Sequence, residues 1–354
     1  MRKILVIQQK MIGDVLVSSI ICKNLALEFP EARIDYLVHD NTIPVLMHNH
    51  NDYNIIAFTE KQRKSKKELW KFIQQIRSEK YDVVIDCYSK LESWLITGFS
   101  NARQKISFDK GYLNMLYTDV VPRHRIPKTN LGLTIEQRLS LLKPLGIEAP
   151  KVLKPVLVVS NEEKIRARKL FEKFHLDPEL PTAMLSVLGS SDSKTYPLEY
   201  MAQVIDQIAE YAPMNLLFNY IPNQKKQAER LLNLCTPEAR KYIYFDVTGN
   251  SLRDFIGLMD ACDFIIGNDG GAINMAKALD KPAFTIFSPV IDKLGWNSFE
   301  DGNRYISVHL RDFKPEFFEN LSDKAVKIRN EQLYLAFKPA LFQSLLMHFL
   351  KQNA

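Results

Sequence analysis

The feature that most limits what this chain can fold into is a repeated alternation of short apolar runs with longer amphipathic ones. In the first half, KILVIQQ, RIDYLV, NIIAF and YDVVIDC read as strands, and DVLVSSIICKNLALEF and KKELWKFIQQIRS between them read as helices. Strands that are apolar on both faces and are each followed by a helix form a parallel sheet, because a parallel pair needs a crossover and the crossover helix covers the sheet face. The pattern is interrupted once, in LLKPLGIEAPKVLKPVLVV, where Pro144, Pro150 and Pro155 exclude a regular element and mark a linker.

Beyond the linker the same grammar restarts. A helix from about Glu162 is followed by strands TAMLSV, MNLLFNY, KYIYFDV, CDFIIGN and PAFTIFS, separated by helical segments such as PLEYMAQVIDQIAEYA and AINMAKALD. The reading is therefore α/β, with two Rossmann-like, doubly wound domains over residues 1–155 and 156–328. Residues 329–354 are helical except at Pro339 and are expected to cross back and pack on the first domain. Open α/β sheets bind ligands beyond the carboxyl ends of their strands, so both strand-end rows are expected to line a single cleft between the two domains.

A length of 354 residues suits two cores. No apolar run approaches the roughly 18 residues of a membrane span, and MRK leads straight into a strand without a signal-peptide pattern. The expected protein is cytoplasmic, without a transmembrane segment. Cys22, Cys87, Cys235 and Cys262 are far apart in apolar contexts, which suggests buried thiols and neither a metal site nor a disulfide framework. The net charge of +6 is modest, and its distribution says more. Residues 61–80, KQRKSKKELWKFIQQIRSEK, hold eight Lys and Arg against two Glu, a stretch suited either to phosphates or an anionic membrane surface, or simply to a solvated helix face.

Three segments at strand ends carry chemical residue types. In QKMIGDVLVSS, Gly13 permits a tight turn and Asp14 stands at the start of a helix, where it can serve as a cap or project its carboxylate outward. In SVLGSSDSKTYPLEY, Gly189, Ser190, Ser191 and Lys194 precede a helix that opens at Pro197, a combination of amides, hydroxyls and one ammonium that suits a phosphate. The spacing is not that of a Walker A loop. In CDFIIGNDGGAINMAKALDKPAFTIFSP, a buried strand ends at Asn268-Asp269, and Gly270 and Gly271 leave amide donors unobstructed.

Taken together and in this order, KILVIQQKMIGDVLVSSI, LGSSDSKTYPLEYMAQVI and CDFIIGNDGGAINMAKALDKPAFTIFSP resemble glycosyltransferase family 9, the ADP-heptose:lipopolysaccharide heptosyltransferases. The resemblance covers nearly the whole chain. It implies a GT-B fold and an inverting, metal-independent transfer of a sugar, heptose from ADP-heptose, onto a lipopolysaccharide core or related anionic glycan. It further implies a nucleotide-sugar donor as substrate, no cofactor, and a lipid-linked acceptor reached by a peripheral protein at the inner membrane surface. No nucleic-acid partner is implied. In agreement with metal independence, the sequence has no D-x-D.

The family's general base maps onto Asp14, which would take the hydroxyl proton as the acceptor oxygen attacks the anomeric carbon. Without a metal, cationic and N–H donors must stabilise the departing diphosphate. Lys194 is assigned that catalytic role, and Gly189, Ser190, Ser191, Asn223, Asp269, Gly270, Gly271 and Asn274 are the other donor-side residues. Gly13, Arg63, Lys64 and Lys67 are expected on the acceptor side. The chain departs from the family twice. Asn274 stands where typical members carry histidine, and Asn223 and Gln224 stand where an acidic residue holds the ribose. These departures leave a second reading open, that of a catalytically silent sugar-nucleotide-binding GT-B protein. A nicotinamide oxidoreductase is disfavoured by the lack of G-x-G-x-x-G at either corner. His39, His48, His50 and His124 read as loop surface residues, and Trp70 and Trp94 as packing residues. Trp296, also read as packing, is positioned after the last apolar strand, where it could touch the donor.

Overall fold

The structure is a computed structural model that describes residues 1–49 and 51–354. His50 lies outside the described residues. The chain divides into two compact units, Met1–Val158 and Val159–Ala354. The division falls just past the expected boundary because the proline-rich connection is pinned to the first unit. The Asn24 side chain accepts from Lys151 N and Val152 N (2.8 and 2.9 Å) and donates to Val152 O (2.8 Å), and Asn49 Nδ2 donates to Val156 O (2.5 Å).

The first unit holds strands β1 (Lys3–Ile7), β2 (Arg33–His39), β3 (Asn54–Phe58), β4 (Val83–Asp86), β5 (Gln104–Phe108) and β6 (Asp119–Val121). All pairings are parallel, and the sheet order is β3-β2-β1-β4-β5-β6. Strands β5 and β6 escape a periodicity reading because QKISF and DVV are short and carry few apolar residues. On one sheet face Leu5, Ile7, Leu37, Phe58 and Val84 pack with Phe72, Ile73 and Ile76 of the helix Lys66–Ser78. That helix is separated from the short helix Glu60–Lys64 by Ser65, whose hydroxyl caps it by accepting from Glu68 N (3.4 Å).

The second unit repeats the plan with β7 (Thr182–Ser186), β8 (Asn215–Phe218), β9 (Ile243–Tyr244), β10 (Phe264–Asn268), β11 (Ala283–Ile286) and β12 (Tyr305–Val308). Its order, β12-β11-β10-β7-β8-β9, is the first unit's order read from the other edge. In both, the chain direction across the sheet reverses beside the first strand, at β1/β4 and at β7/β10. Such a switch point leaves a crevice outside the carboxyl ends of the strands, where open α/β sheets bind ligands.

The final segment does not follow expectation. Leu333, Tyr334, Phe337, Phe342, Leu346, Phe349 and Leu350 belong to the core of the second unit, together with Phe264, Phe284 and Ile306 of its sheet. Phe349 lies 5.7 Å, centroid to centroid, from both Phe264 and Phe284, and the Tyr196 hydroxyl donates to Phe337 O. The expected packing of residues 329–354 on the first domain is corrected to packing on the second. The reason is apolar complementarity: one face of the β10–β12 end of that sheet is covered by this aromatic-rich segment, and the area it buries stabilises at about 25 cal/mol per Å².

Candidate active site

In the first unit the helix Ile12–Glu28 follows β1, and Asp14 lies in its first turn. The N-cap is Met11, not Asp14, and no side chain caps this end. Gly13 is buried inside the same turn, so the expectation that it makes the tight corner is corrected: helix geometry, not a turn, holds it. The Asp14 carboxylate is used differently. Its Oδ1 accepts from the Arg138 guanidinium, which also donates to Ser18 Oγ (2.7 Å) and Thr134 O (3.2 Å). Arg138 is buried, whereas the Asp14 side chain keeps 23% of its surface in solvent. A capping role is thus replaced by an oriented, accessible carboxylate. Arg138, on the helix Leu133–Ser140, carries no sequence signal, because a lone arginine in an amphipathic helix reads as surface.

Across the switch point, Tyr88 follows the end of β4. Its N–H donates to Ile7 O (3.2 Å), which fastens the end of β4 to the end of β1. Burial raises the Tyr88 phenol above its ordinary value; Glu92, Asp14 and Asp86 push the same way, and Arg63 opposes them. Asp14 and Arg63 thus act on the same phenol with opposite sign. Lys64 and Lys67 are not linked to Asp14 in this way. Lys64 pairs with Glu60 at 3.3 Å, as does Arg63 at 3.1 Å, and Lys67 is exposed. The basic run is thus partly neutralised by its own helix.

In the second unit Gly189 and Asp269 follow the two strands at the switch point. The loop after β7 is braced from several directions. Gly189 N donates to Thr195 Oγ1 (3.0 Å), Gln224 Nε2 donates to Gly189 O (2.9 Å), and Ser288 Oγ and Asn330 Nδ2 both donate to Ser193 O (2.7 and 3.0 Å). A Cβ on Gly189 would lie 2.3 Å from Lys194 O, so only glycine lets the loop close on itself. The brace that joins both strand ends is Asn268: Oδ1 accepts from Tyr196 N (2.7 Å), and Nδ2 donates to Ser186 O (2.9 Å). Ser190 and Ser191 stay exposed, and Lys194 is half-buried.

Asp269 is half-buried, and burial pushes its carboxyl up to about 6; Lys194, Lys277 and the Gly270 N–H act against that shift. Lys194 acts on Asp269 electrostatically and forms no ion pair among the described residues. A Cβ on Gly270 would meet nothing within 4 Å, so space lies open above the strand end, and the helix Gly271–Ala278 begins at once. A diphosphate suits such a place: open room, a helix N-terminus and an ammonium.

The two departures from the family have structural answers. Asn274 Nδ2 donates back to Gly270 O (3.2 Å), serving its own helix start. Asn223 is exposed, and its neighbour Gln224 is the residue that holds the Gly189 loop. Two lysines went unnoticed in the sequence: Lys277, buried with Nζ on Ser298 O (2.7 Å), and Lys110, whose Nζ donates to Ser89 O (2.7 Å). Helical or loop lysines give no pattern to find. His39 is buried at the end of β2 rather than on the surface, because its ring is held by Asn41 (2.9 Å) and Glu60 (3.3 Å). His124 faces Glu136 at 3.0 Å. All four cysteines are buried free thiols. Among the described residues, no group of three or more His, Cys, Asp or Glu is placed to hold a metal ion, and no helix is long and apolar enough to cross a membrane. A groove lined by Arg77, Tyr81, Asp82 and Arg103 opens at the amino ends of β4 and β5, away from these residues.

Residues 69–317 match the profile of glycosyltransferase family 9 (heptosyltransferase). Lipopolysaccharide heptosyltransferase 3 of Escherichia coli is 28% identical over 140 residues, which spans 39% of this chain and only 41% of that protein. Lipopolysaccharide heptosyltransferase 1 of Campylobacter coli is 23% identical over 297 residues, 80% of this chain and 83% of that one. Among solved structures, Escherichia coli ADP-heptose LPS heptosyltransferase II superposes with a TM-score of 0.68 at 20% identity, covering 94% of this chain and 98% of that one. A family 9 glycosyl transferase from Veillonella parvula DSM 2008 gives 0.71 at 14% identity, over 98% and 97%. The structural likeness is one of fold, and the fold is GT-B-like, built from two parallel-sheet units. The profile begins beyond Asp14, so the reading of that residue rests on its surroundings in the first unit. Spanning more than half of the first unit and most of the second, the match makes this chain a member of glycosyltransferase family 9, the heptosyltransferases.

Proposed function

We propose that this glycosyltransferase moves heptose from ADP-heptose onto a lipid-linked, anionic glycan of the lipopolysaccharide core, working peripherally at the cytoplasmic face of the inner membrane. The relatives named as lipopolysaccharide heptosyltransferases support the substrate pair. Asp14 is the general base that takes the acceptor proton as its oxygen attacks the anomeric carbon with inversion. Arg138 fixes one carboxylate oxygen and so aims the other. In the second unit Gly189, Ser190, Ser191, Gly270 and Gly271 receive the nucleotide diphosphate with their amides and hydroxyls, and Lys194 stabilises the charge that grows as it departs. No metal is assigned a part in the transfer.

The observation that carries this reading is the state of Asp14: at a switch point, released from capping, bonded to a buried arginine and open to solvent. The test is Asp14→Asn, which keeps the shape and removes the base. Transfer from ADP-heptose should fall by about 10²–10⁴, while ADP affinity, measured by calorimetry, stays unchanged. Equal turnover in both proteins would overturn the assignment of Asp14. Absent turnover in the wild type, with ADP still bound, would favour the silent binder, the reading to which Asn274 in place of histidine lends weight.

A further inference from the structure

We propose that Asn330, at the start of the helix Asn330–Ala336, is a positioning residue for Lys194: its side-chain amide, together with the Ser288 hydroxyl, holds the lysine loop in the shape that serves the departing diphosphate. This rests on the reading of Lys194 given above, and it gives the last stretch of the chain a part in the transfer. That stretch belongs to the core of the second unit and reaches the loop after β7 from there.

Lys194 closes the single turn Asp192–Lys194, and the backbone bonds around it are local. Lys194 N donates to Ser191 O (2.9 Å) and Thr195 N to Asp192 O (3.1 Å). The four residues before Lys194 are exposed, and an exposed turn with only local bonds has little to keep it in one shape. What fixes it comes from elsewhere in the chain. A carbonyl oxygen has two lone pairs, and Ser193 O fills both with side chains distant in sequence, Ser288 Oγ at 2.7 Å and Asn330 Nδ2 at 3.0 Å. That oxygen belongs to the planar peptide that leads into Lys194, so holding it sets the direction from which the lysine starts.

The same terminal segment grips the loop on the other side of Lys194. The Tyr196 hydroxyl donates to Phe337 O, and the Tyr196 ring lies 5.6 Å from the Phe337 ring and 6.1 Å from that of Tyr334, centroid to centroid. Further along, the Tyr200 hydroxyl donates to Leu335 O (3.0 Å). Lys194 is thus bracketed at Ser193 and at Tyr196 by one short helix and the residue that follows it. A donor aimed by its backbone, with no partner to give up, is ready for charge that appears only as the bond to the diphosphate breaks. Within the bracket Asn330 is the polar side chain turned outward from its own helix. Its Nδ2 is on Ser193 O, while its buried Oδ1 has no hydrogen bond.

The test is a double-mutant cycle on the full chain: wild type, Asn330→Ala, Lys194→Met and the pair. Each is assayed for heptose transfer from ADP-heptose to core-truncated lipopolysaccharide, for ADP affinity by calorimetry, and for Tm. Asn330→Ala should lower kcat about tenfold and change KM for ADP-heptose and Kd for ADP by less than about threefold. In the Lys194→Met background the same substitution should change kcat by less than about twofold, because a misplaced ammonium matters only while the ammonium is there. Alanine is a good helix former, so the variant should fold. If it does not, Asn330→Asp takes its place in the cycle at about pH 8, where the carboxylate keeps the shape and cannot donate to Ser193 O. A merely structural asparagine would lower Tm and reduce kcat by the same factor in both backgrounds. That result, or an unchanged kcat in Asn330→Ala beside a slow Lys194→Met, overturns this proposal alone. An unchanged kcat in Lys194→Met overturns the reading of Lys194 and this one with it.

Discussion

The two units share one strand order and one switch-point position, yet the residues at those points are opposite in kind. In the first unit the helix after the opening strand carries a carboxylate clamped by buried Arg138, and cations follow the next strands. In the second unit the corresponding positions carry glycine, serine and a lysine that forms no ion pair among the described residues, and burial raises the carboxyl of the acid after β10. The comparison teaches that a doubly wound sheet fixes where chemistry happens and leaves open which chemistry. The first corner holds a negative charge of its own, and the second, with open room, a helix N-terminus and an ammonium, suits one brought by a ligand.

The strongest way to break that contrast is to remove the cation of the second corner. Lys194→Met should lower kcat by about 10²–10³, the usual cost of one donor to a developing anion, and should also weaken ADP. Steady-state kinetics with calorimetry on the same variant gives both numbers. If kcat is unchanged, the second corner does not serve the leaving diphosphate, and the opposition between the units has no catalytic meaning.

A pair of glycine substitutions sharpens the comparison further, because it separates the fold of the second corner from its use. Gly189→Ala puts a methyl 2.3 Å from a backbone oxygen, so the loop must shift, and a loss of about 1–3 kcal/mol in unfolding free energy is expected. Gly270→Ala meets nothing within 4 Å, and its backbone is extended. Its stability should change by less than about 0.5 kcal/mol, while ADP affinity falls because the methyl occupies the open space. Urea unfolding and ADP titration of both variants check this. A Gly270→Ala protein that binds ADP as the wild type does would show that the opening above β10 is not the diphosphate's place.

Most of this architecture was legible in the chain because buried parallel strands are continuous apolar runs and their helices are amphipathic, so KILVI and FIIGN declare themselves. QKISF and DVV do not, since edge-ward strands with polar residues lose the pattern. The end of the chain was misread for a different reason: an aromatic-rich helix shows that it packs but not on what, and only the exposed face of the β10–β12 sheet decides it. Within the sites, Asp14 and Gly189 were visible because a carboxylate or a glycine at a strand–helix corner is unusual. Arg138, Lys110 and Asn268 were not. Each acts on a partner distant in sequence, and nothing local marks the pairing.

The smallest expected effect concerns Asp269, and it checks whether burial sets the character of the second corner. Its carboxyl is raised from 3.8 to about 6 in the folded chain. The folded state then binds this proton more tightly than the unfolded state, and between those two values it carries more protons. Stability therefore falls as pH rises from about 4 to about 6 and is level above that, the reverse of a salt-bridged acid. Asp269→Asn removes the titration. The difference in urea midpoint between wild type and variant should shift in favour of the variant across this window and stay constant from about pH 7 upward. A difference that does not change between pH 4 and 7 would mean that Asp269 is not desolvated. The character of the second corner would then be set by solvent at this position and not by burial.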